Sequence, residues 1–457
     1  VPTAYPDQGR PSSQLRTNLT IVLISWGVFG ACWWNAVLGV AYTAYARLLG
    51  ASPLMLGFLS ASAVLGSVAQ PFSSYLIERT GRRKRIFLAA CLVQRPLWVV
   101  VGALPFIIPA PYAGWRPFGL LALTLGSSLL GYTGNPAWVS WMADIIPDRI
   151  RARFLGVRFR LATMTGMLTG LVVGAALDWN SSYYVFLVIF GVAALMGTID
   201  IIMFFFVPRG EEKPSAQVLS LASIVRLPWR DRRFRPYLAY AGLSAATYGI
   251  MGQFTALYLL EYIWVGKLLA NVYLMVLPLL VAALLGPTMG RLISRFGNRP
   301  VLLVMTVLAV PLPLMWGAAG PGSHLLLAST SALSGVVTAA QGVADLNMLF
   351  ALTPARNRSA YIAAVFLVAG LIGAVAPVVG GAIAQALAGW SGSLAGLRLV
   401  NLHAVFLVAT LLRVVHVVVV VPALPEPEAR PAAELLADLL RAPAETAGAA
   451  VRRLLGR

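Results

Sequence analysis

The chain has 457 residues, 59% of them hydrophobic and 11% charged, with a mean hydropathy of +0.80. That balance departs from soluble domains toward polytopic membrane proteins and leaves no room for a large soluble domain. The formal net charge of +19 comes from short basic clusters between apolar stretches, not from one continuous patch, which argues against nucleic acid as a partner.

A helix needs roughly 20 apolar residues to cross a bilayer's hydrocarbon core. Stretches of that size are expected at 18–46, 53–77, 86–109, 117–145, 154–178, 182–207, 235–262, 267–290, 300–318, 324–352, 359–388 and 398–421. The first is longer than a signal-peptide core and has no convincing cleavage site, so it reads as a retained helix behind a polar tail, 1–17. Cys32 and Cys91 fall inside spans, where they read as small packing residues and not as a disulfide. A polar linker, 208–234, holds Glu211, Glu212, Lys213 and the run Arg230, Asp231, Arg232, Arg233. It separates two six-span halves, 18–207 and 235–421. In the tail, 422–457, Pro422, Pro425 and Pro427 break the last helix before an amphipathic pattern resumes. Two readings stay open for it: a helix on an anionic inner leaflet, or a disordered basic tail.

Lysine and arginine concentrate in alternate loops, at 79–85, 149–153, 209–235 and 291–299 and at Arg356 and Arg358, whereas the opposite loops carry little beyond Arg47, Arg116 and Lys267. The positive-inside rule then places the basic loops, the linker and both termini in the cytoplasm, with the chain in the cytoplasmic (inner) membrane.

One basic turn occurs twice. Ser74 to Arg83 reads Ser-Tyr-Leu-Ile-Glu-Arg-Thr-Gly-Arg-Arg, and Gly290 to Arg299 reads Gly-Arg-Leu-Ile-Ser-Arg-Phe-Gly-Asn-Arg. Their glycines, Gly81 and Gly297, are 216 positions apart, close to half the chain, which points to an internal duplication. A second pair supports it: Pro147, Arg149 and Arg151 follow the fourth span, and Pro354, Arg356 and Arg358 follow the tenth.

These turns resemble the signature Gly-x-x-x-Asp-Arg-x-Gly-Arg-Arg/Lys of the major facilitator superfamily. Arg79, Gly81, Arg82 and Arg83 match in the first copy, with Ser74 and Glu78 replacing the glycine and the aspartate. Gly290, Arg295, Gly297 and Arg299 match in the second, where Ser294 takes the acidic position. The resemblance implies an all-α fold of twelve transmembrane helices in two pseudo-symmetric six-helix bundles. It also implies that the motif's acid pairs across the interface between halves in the outward-open state, a role that falls to Glu78. The alternative is that these charges only fix topology and bind lipid headgroups. Asp144 is expected to pair with Arg149 and Arg151 nearby, and Asp345 is a weaker counterpart.

The resemblance places the first, fourth, seventh and tenth spans around a central cavity. Their polar and aromatic residues are Trp26, Trp33, Trp34, Asn35 and Tyr42; Tyr132, Asn135 and Trp138; Tyr248, Gln253 and Tyr258; and Ser334, Thr338 and Gln341. Polar groups in hydrocarbon need partners, so these either face a wet cavity or bond between helices. Arg95 and Asp200 fall at similar depth in the third and sixth spans, which the resemblance makes peripheral, so a structural ion pair is favoured over a proton site. Arg158 and Arg160 suit an anionic substrate or lipid. Glu261 at an outer helix end reads as solvated, and Arg413 and His416 have no evident partner. Gly166, Gly170 and Gly174 make a small-residue face suited to close helix contact between the halves. Pro377, Val378, Val379, Gly380 and Gly381 partly echo the Gly-Pro-x-x-Gly-Gly pattern that drug antiporters of the family carry in the fifth helix.

No nucleotide-binding loop and no Cys/His metal spacing occurs, and the three histidines are scattered. The expectation is therefore a non-enzymatic secondary transporter without cofactor or metal, acting as a monomer on a small molecule among membrane lipids. Its mechanism would be alternating access, with proton coupling open. The alternatives are efflux of amphiphiles or lipids, and a non-transporting assembly or sensor protein with the same fold.

Overall fold

The computed structural model describes residues 13–208, 221–353, 358–394, 396–426 and 429–438. Arg356 and the tail residues beyond 438 lie outside the described residues, as does the side chain of Arg358.

Among the described residues ten helices are long and apolar enough to cross a membrane: Ser13–Leu48, Pro53–Thr80, Arg83–Ile107, Arg149–Trp179, Tyr183–Phe206, Lys267–Phe296, Asn298–Ala318, His324–Leu352, Tyr361–Ala386 and Asn401–Val420. Two more complete a set of twelve. Arg116–Ile145 is a 30-residue helix diluted by Ser127, Ser128, Tyr132 and Asn135. The seventh span is built from two shorter pieces, Arg235–Gly249 and Gly252–Glu261. The linker carries a further helix, Leu221–Arg230. The loop before the last span folds into a hairpin of β1 (Ser391–Leu394) and β2 (Leu397–Val400), antiparallel with Ser391 opposite Val400.

The first span is not one regular helix. A π-helical turn covers Ser25–Gly30, and the helix breaks between Val37 and Val40, where Gly39 takes φ 69° and ψ −134°. Only glycine adopts that backbone without a steric penalty. The seventh span breaks at Ile250 and Met251. Both breaks fall about 210 residues apart, at equivalent points of the duplicated halves, and both lie at the same cavity.

Apolar packing differs between the two faces of the molecule. Near the basic loops each half has a separate core. One gathers Val22, Ile77, Phe87, Trp141 and Phe204; the other gathers Phe234, Tyr237, Ile293, Phe296 and Leu349. Toward the opposite face a single core runs through both halves, from Tyr45, Leu56 and Phe190 to Phe254, Tyr258 and Phe406. Burial of apolar side chains therefore ties the halves together at one face only.

Candidate functional site: a central cavity and the contacts that close it

Two adjoining chambers, one between the halves and one inside the first half, share Ala63 and Val64 of the second span as a wall. One, of about 490 Å3, is lined by Gly39, Thr43 and Ser60 of the first half and by Tyr248, Gln253, Ser334, Thr338 and Arg413 of the second. The other, of about 580 Å3, lies within the first half and is walled by Trp26, Trp33, Trp34, Tyr132, Asn135 and Trp138, with Arg95, Arg158 and Asp200. Each volume suits a small-molecule ligand.

The structure divides the residues expected to line this cavity. Trp26, Trp33, Trp34, Tyr132, Asn135, Trp138, Tyr248, Gln253, Ser334 and Thr338 line it. Asn35 instead donates to the Ala31 carbonyl at 2.8 Å and packs on Gly166. Tyr42 is buried against Thr124, with 2.8 Å between their hydroxyls, and Tyr258 donates to the Gly317 and Ala319 carbonyls. Gln341 is buried and accepts from the Tyr248 hydroxyl, one layer behind the cavity wall. Their helices are apolar on most sides, so spacing alone does not fix which way a polar residue turns.

Arg95 Nη2 lies 3.3 Å from Asp200 Oδ2, both side chains almost wholly buried. The pair is not peripheral as expected: it stands on the cavity wall, because the Arg95 guanidinium stacks 3.5 Å from the Trp33 ring. Asp200 also packs on Gly30, where a Cβ would sit 2.8 Å from its Oδ2.

At the face opposite the basic loops, polar contacts bridge the halves. Arg47 grips Glu261 through two nitrogens, at 2.5 and 3.1 Å, so Glu261 is paired and not simply solvated. Asp178, ending the fifth span, accepts from the backbone amides of Lys267 and Leu268 at 2.6 and 2.9 Å. It thereby caps the eighth span from the other half, satisfying amides a helix start leaves open. Thr43 donates to Gln253 across the two helix breaks. Glycines let backbones meet: a Cβ on Gly57 would run into the Pro377 carbonyl, and one on Gly174 would lie 2.7 Å from Leu268 Cα. Gly381 sits in the same contact, against Pro53, whereas Gly380 packs on Ile250 of its own half. Gly166 meets Asn35 of its own half instead.

The basic turns are placed differently from each other. Gly81 caps the second span in the left-handed region, at φ 67°, and Glu78 is half-buried one turn earlier, beside exposed Arg79 and Arg82. Asp144 does not pair with Arg149 or Arg151. Its partner is Arg83 of the first basic turn, whereas Arg151 donates to the Ile146 carbonyl and Arg149 is exposed. Asp345 is turned into its helix bundle, accepting from the Tyr240 hydroxyl. In the second turn Gly297 takes φ 97°, and the acid comes from the tail. Glu426 accepts from the amides of Asn298 and Arg299 at 3.0 and 2.6 Å, and Arg295 pairs with Asp438 at 3.0 Å. The described tail residues, 422–426 and 429–438, therefore pack on the protein, with Leu435 fully buried.

Sequence reasoning did not weigh Asp178, Gly39 or Glu426, and it gave Arg413 no partner. Paired interruptions of equivalent spans in the two halves are the signal that finds the binding region. Gly39 and the Met251–Gly252 step supply it.

Twelve spanning helices, equivalent broken spans and a cavity between two halves define a helical membrane transporter. The family model described as Major Facilitator Superfamily matches residues 23–277 and 265–454, and the chain belongs to that superfamily: it is a multi-pass, non-enzymatic membrane protein and a secondary transporter of small molecules. No curated protein sequence matches it significantly. Among solved structures, a mutant form of the nucleoside transporter NupG superposes with a TM-score of 0.69 at 12% identity, covering 90% of this chain and all of that one. A bacterial homologue of the human lysosomal transporter Spinster, inward-facing and unoccupied, gives 0.68 at 14%, covering 91% and 98%. A D-xylose–proton symporter gives 0.60 at 14%, covering 88% and 97%. At these identities the likeness concerns the fold.

Proposed function

We propose that this transporter moves a small solute by alternating access, the two six-helix halves rocking about the central cavity, and that the described arrangement is the inward-facing one. The observation that carries this is the asymmetry of packing. One apolar core, the Arg47–Glu261 pair and the Asp178 cap join the halves at one face, while the halves keep separate cores at the basic face. The positive-inside rule assigns the basic face, the linker and both termini to the cytoplasm. Glu78, with Arg79 and Arg82, is the latch that would close the cytoplasmic side when the cavity opens outward, and the second turn's arginines serve its own half through the tail. Arg95 and Asp200 act as a structural pair that fixes the third helix against the sixth; they are not the coupling site.

The test is accessibility. In a chain lacking Cys32 and Cys91, Ser334→Cys lines the cavity and should react with an impermeant maleimide from either side of a sealed vesicle. Reaction from one side only, under every condition, would make the chain a static scaffold. Glu78→Gln should shift reaction toward the cytoplasmic side, and Ser294→Ala should not.

A further inference from the structure

We infer that the solute is an anion with an apolar or aromatic body, its acidic group drawn to the cavity arginines that have no ion-pair partner among the described residues, Arg158 in the chamber of the first half and Arg413 in the chamber between the halves. This rests on the transporter reading above. The residues lining the two chambers include three arginines and one carboxylate, Arg95, Arg158, Arg413 and Asp200. Asp200 is bonded to Arg95 and lies within electrostatic reach of Arg158, so one carboxylate faces two arginines in the chamber within the first half. In the chamber between the halves Arg413 is the one charged lining residue among the described residues. The cavity therefore carries excess positive charge inside low-dielectric walls, a field that concentrates anions.

The two arginines are held in place, and among the described residues neither forms an ion pair. Arg158 lies 4.4 Å from the centre of the Trp138 ring and 5.6 Å from that of Trp26, with Nε donating to the Val22 carbonyl at 3.3 Å. Among the described residues its terminal nitrogens have no hydrogen-bond acceptor. Arg413, 5% exposed, donates through Nη1 to the Ala309 carbonyl at 2.5 Å and through Nη2 to the Met251 sulfur at 3.6 Å. Neither contact supplies a negative charge. Ionisable side chains at membrane depth are costly and as a rule serve function, and a guanidinium with its face on an aromatic ring keeps its edge for a carboxylate or phosphate. Trp26, Trp34 and Trp138 beside Arg158 provide the apolar wall for the rest of the molecule.

The test uses the full chain in phosphatidylcholine nanodiscs, with benzoate, phenyl phosphate, benzenesulfonate, benzyl alcohol and benzylamine, read by thermal unfolding and tryptophan fluorescence. At least one of the three anions should raise Tm, and the alcohol and the amine should not. Apparent affinity for that anion should fall tenfold or more in Arg158→Gln and Arg413→Gln, and Arg158→Lys should retain part of it. Should the glutamine variants fail to fold, the lysine variants and competition of the wild-type response by chloride decide. Equal or greater stabilisation by the neutral or cationic compound, no response to any anion, or an anion response unaltered in both arginine variants overturns the proposal. So does phosphatidylglycerol that stabilises the chain through Arg158 and abolishes the small-anion response, since the anion is then a lipid headgroup. The Ser334→Cys accessibility measurement needs no ligand, so two-sided labelling without anion selectivity would refute the substrate class and leave the transporter reading standing.

Discussion

Asp178→Ala removes the cap that one half places on the other. Its carboxylate accepts two backbone amides at 2.6 and 2.9 Å, and loss of an N-terminal cap costs about 0.5–2 kcal/mol. Those bonds exist only while this face is closed, so the cost falls on the closed conformer alone and shifts the open-to-closed ratio by about 2- to 30-fold. The neighbouring Arg47–Glu261 pair, with side chains 33% and 34% exposed, contributes less, about 0.2–1 kcal/mol after screening. The assay is the rate at which Ser334→Cys reacts with an impermeant maleimide applied from the face opposite the basic loops. Asp178→Ala should raise that rate several-fold. Asp178→Asn retains a capping oxygen and should raise it least. Gly266→Ala should act like the alanine variant, because its Cβ would lie 2.8 Å from Asp178 Oδ2. An unchanged rate in Asp178→Ala would refute the inference that this cap holds the face shut.

Gly57→Ala drives a methyl group into the Pro377 carbonyl, well inside van der Waals contact. Because the obstacle is backbone, the second and eleventh spans must part, and labelling of Ser334→Cys from that face should become fast. Asp200→Asn leaves buried Arg95 without its charge partner, a change that costs about 3–5 kcal/mol; Tm should fall clearly, and adding Arg95→Gln should recover part of the loss. Glu426→Ala uncaps the ninth span at a cost of about 1 kcal/mol. A cysteine placed at Leu435, fully buried in the docked tail, should then react with maleimide faster than the same cysteine without Glu426→Ala.

The spans, the duplicated turns and the matching depth of Arg95 and Asp200 were legible because they depend on composition and on rise per residue. Helix rotation was not. Asn35 and Tyr42 share a span with Trp34, yet of the three only Trp34 reaches the cavity: Asn35 is turned about 100° around the same helix, and Tyr42 lies beyond the break at Gly39. Contacts made by distant segments were equally hidden: Asp178 and Glu261 look like ordinary charges at helix ends until the fold brings Lys267 and Arg47 to them. Glu426 sits among prolines that signal only the end of a helix, and nothing local says that it returns to Asn298. Arg413 looked unpartnered in sequence, and the structure gives it a carbonyl and a sulfur but no carboxylate.

Rocking of two halves is tested most directly by spin-label distances across both faces of the same protein. One pair, Asn180→Cys with Ser393→Cys, spans the halves at the closed face, and a second, Arg153→Cys with Asn347→Cys, spans them at the basic face; all four residues are exposed. On introducing Asp178→Ala together with Arg47→Ala, the first distance should lengthen while the second shortens. Distances that stay fixed, or that change in the same direction, would contradict alternating access by these two halves.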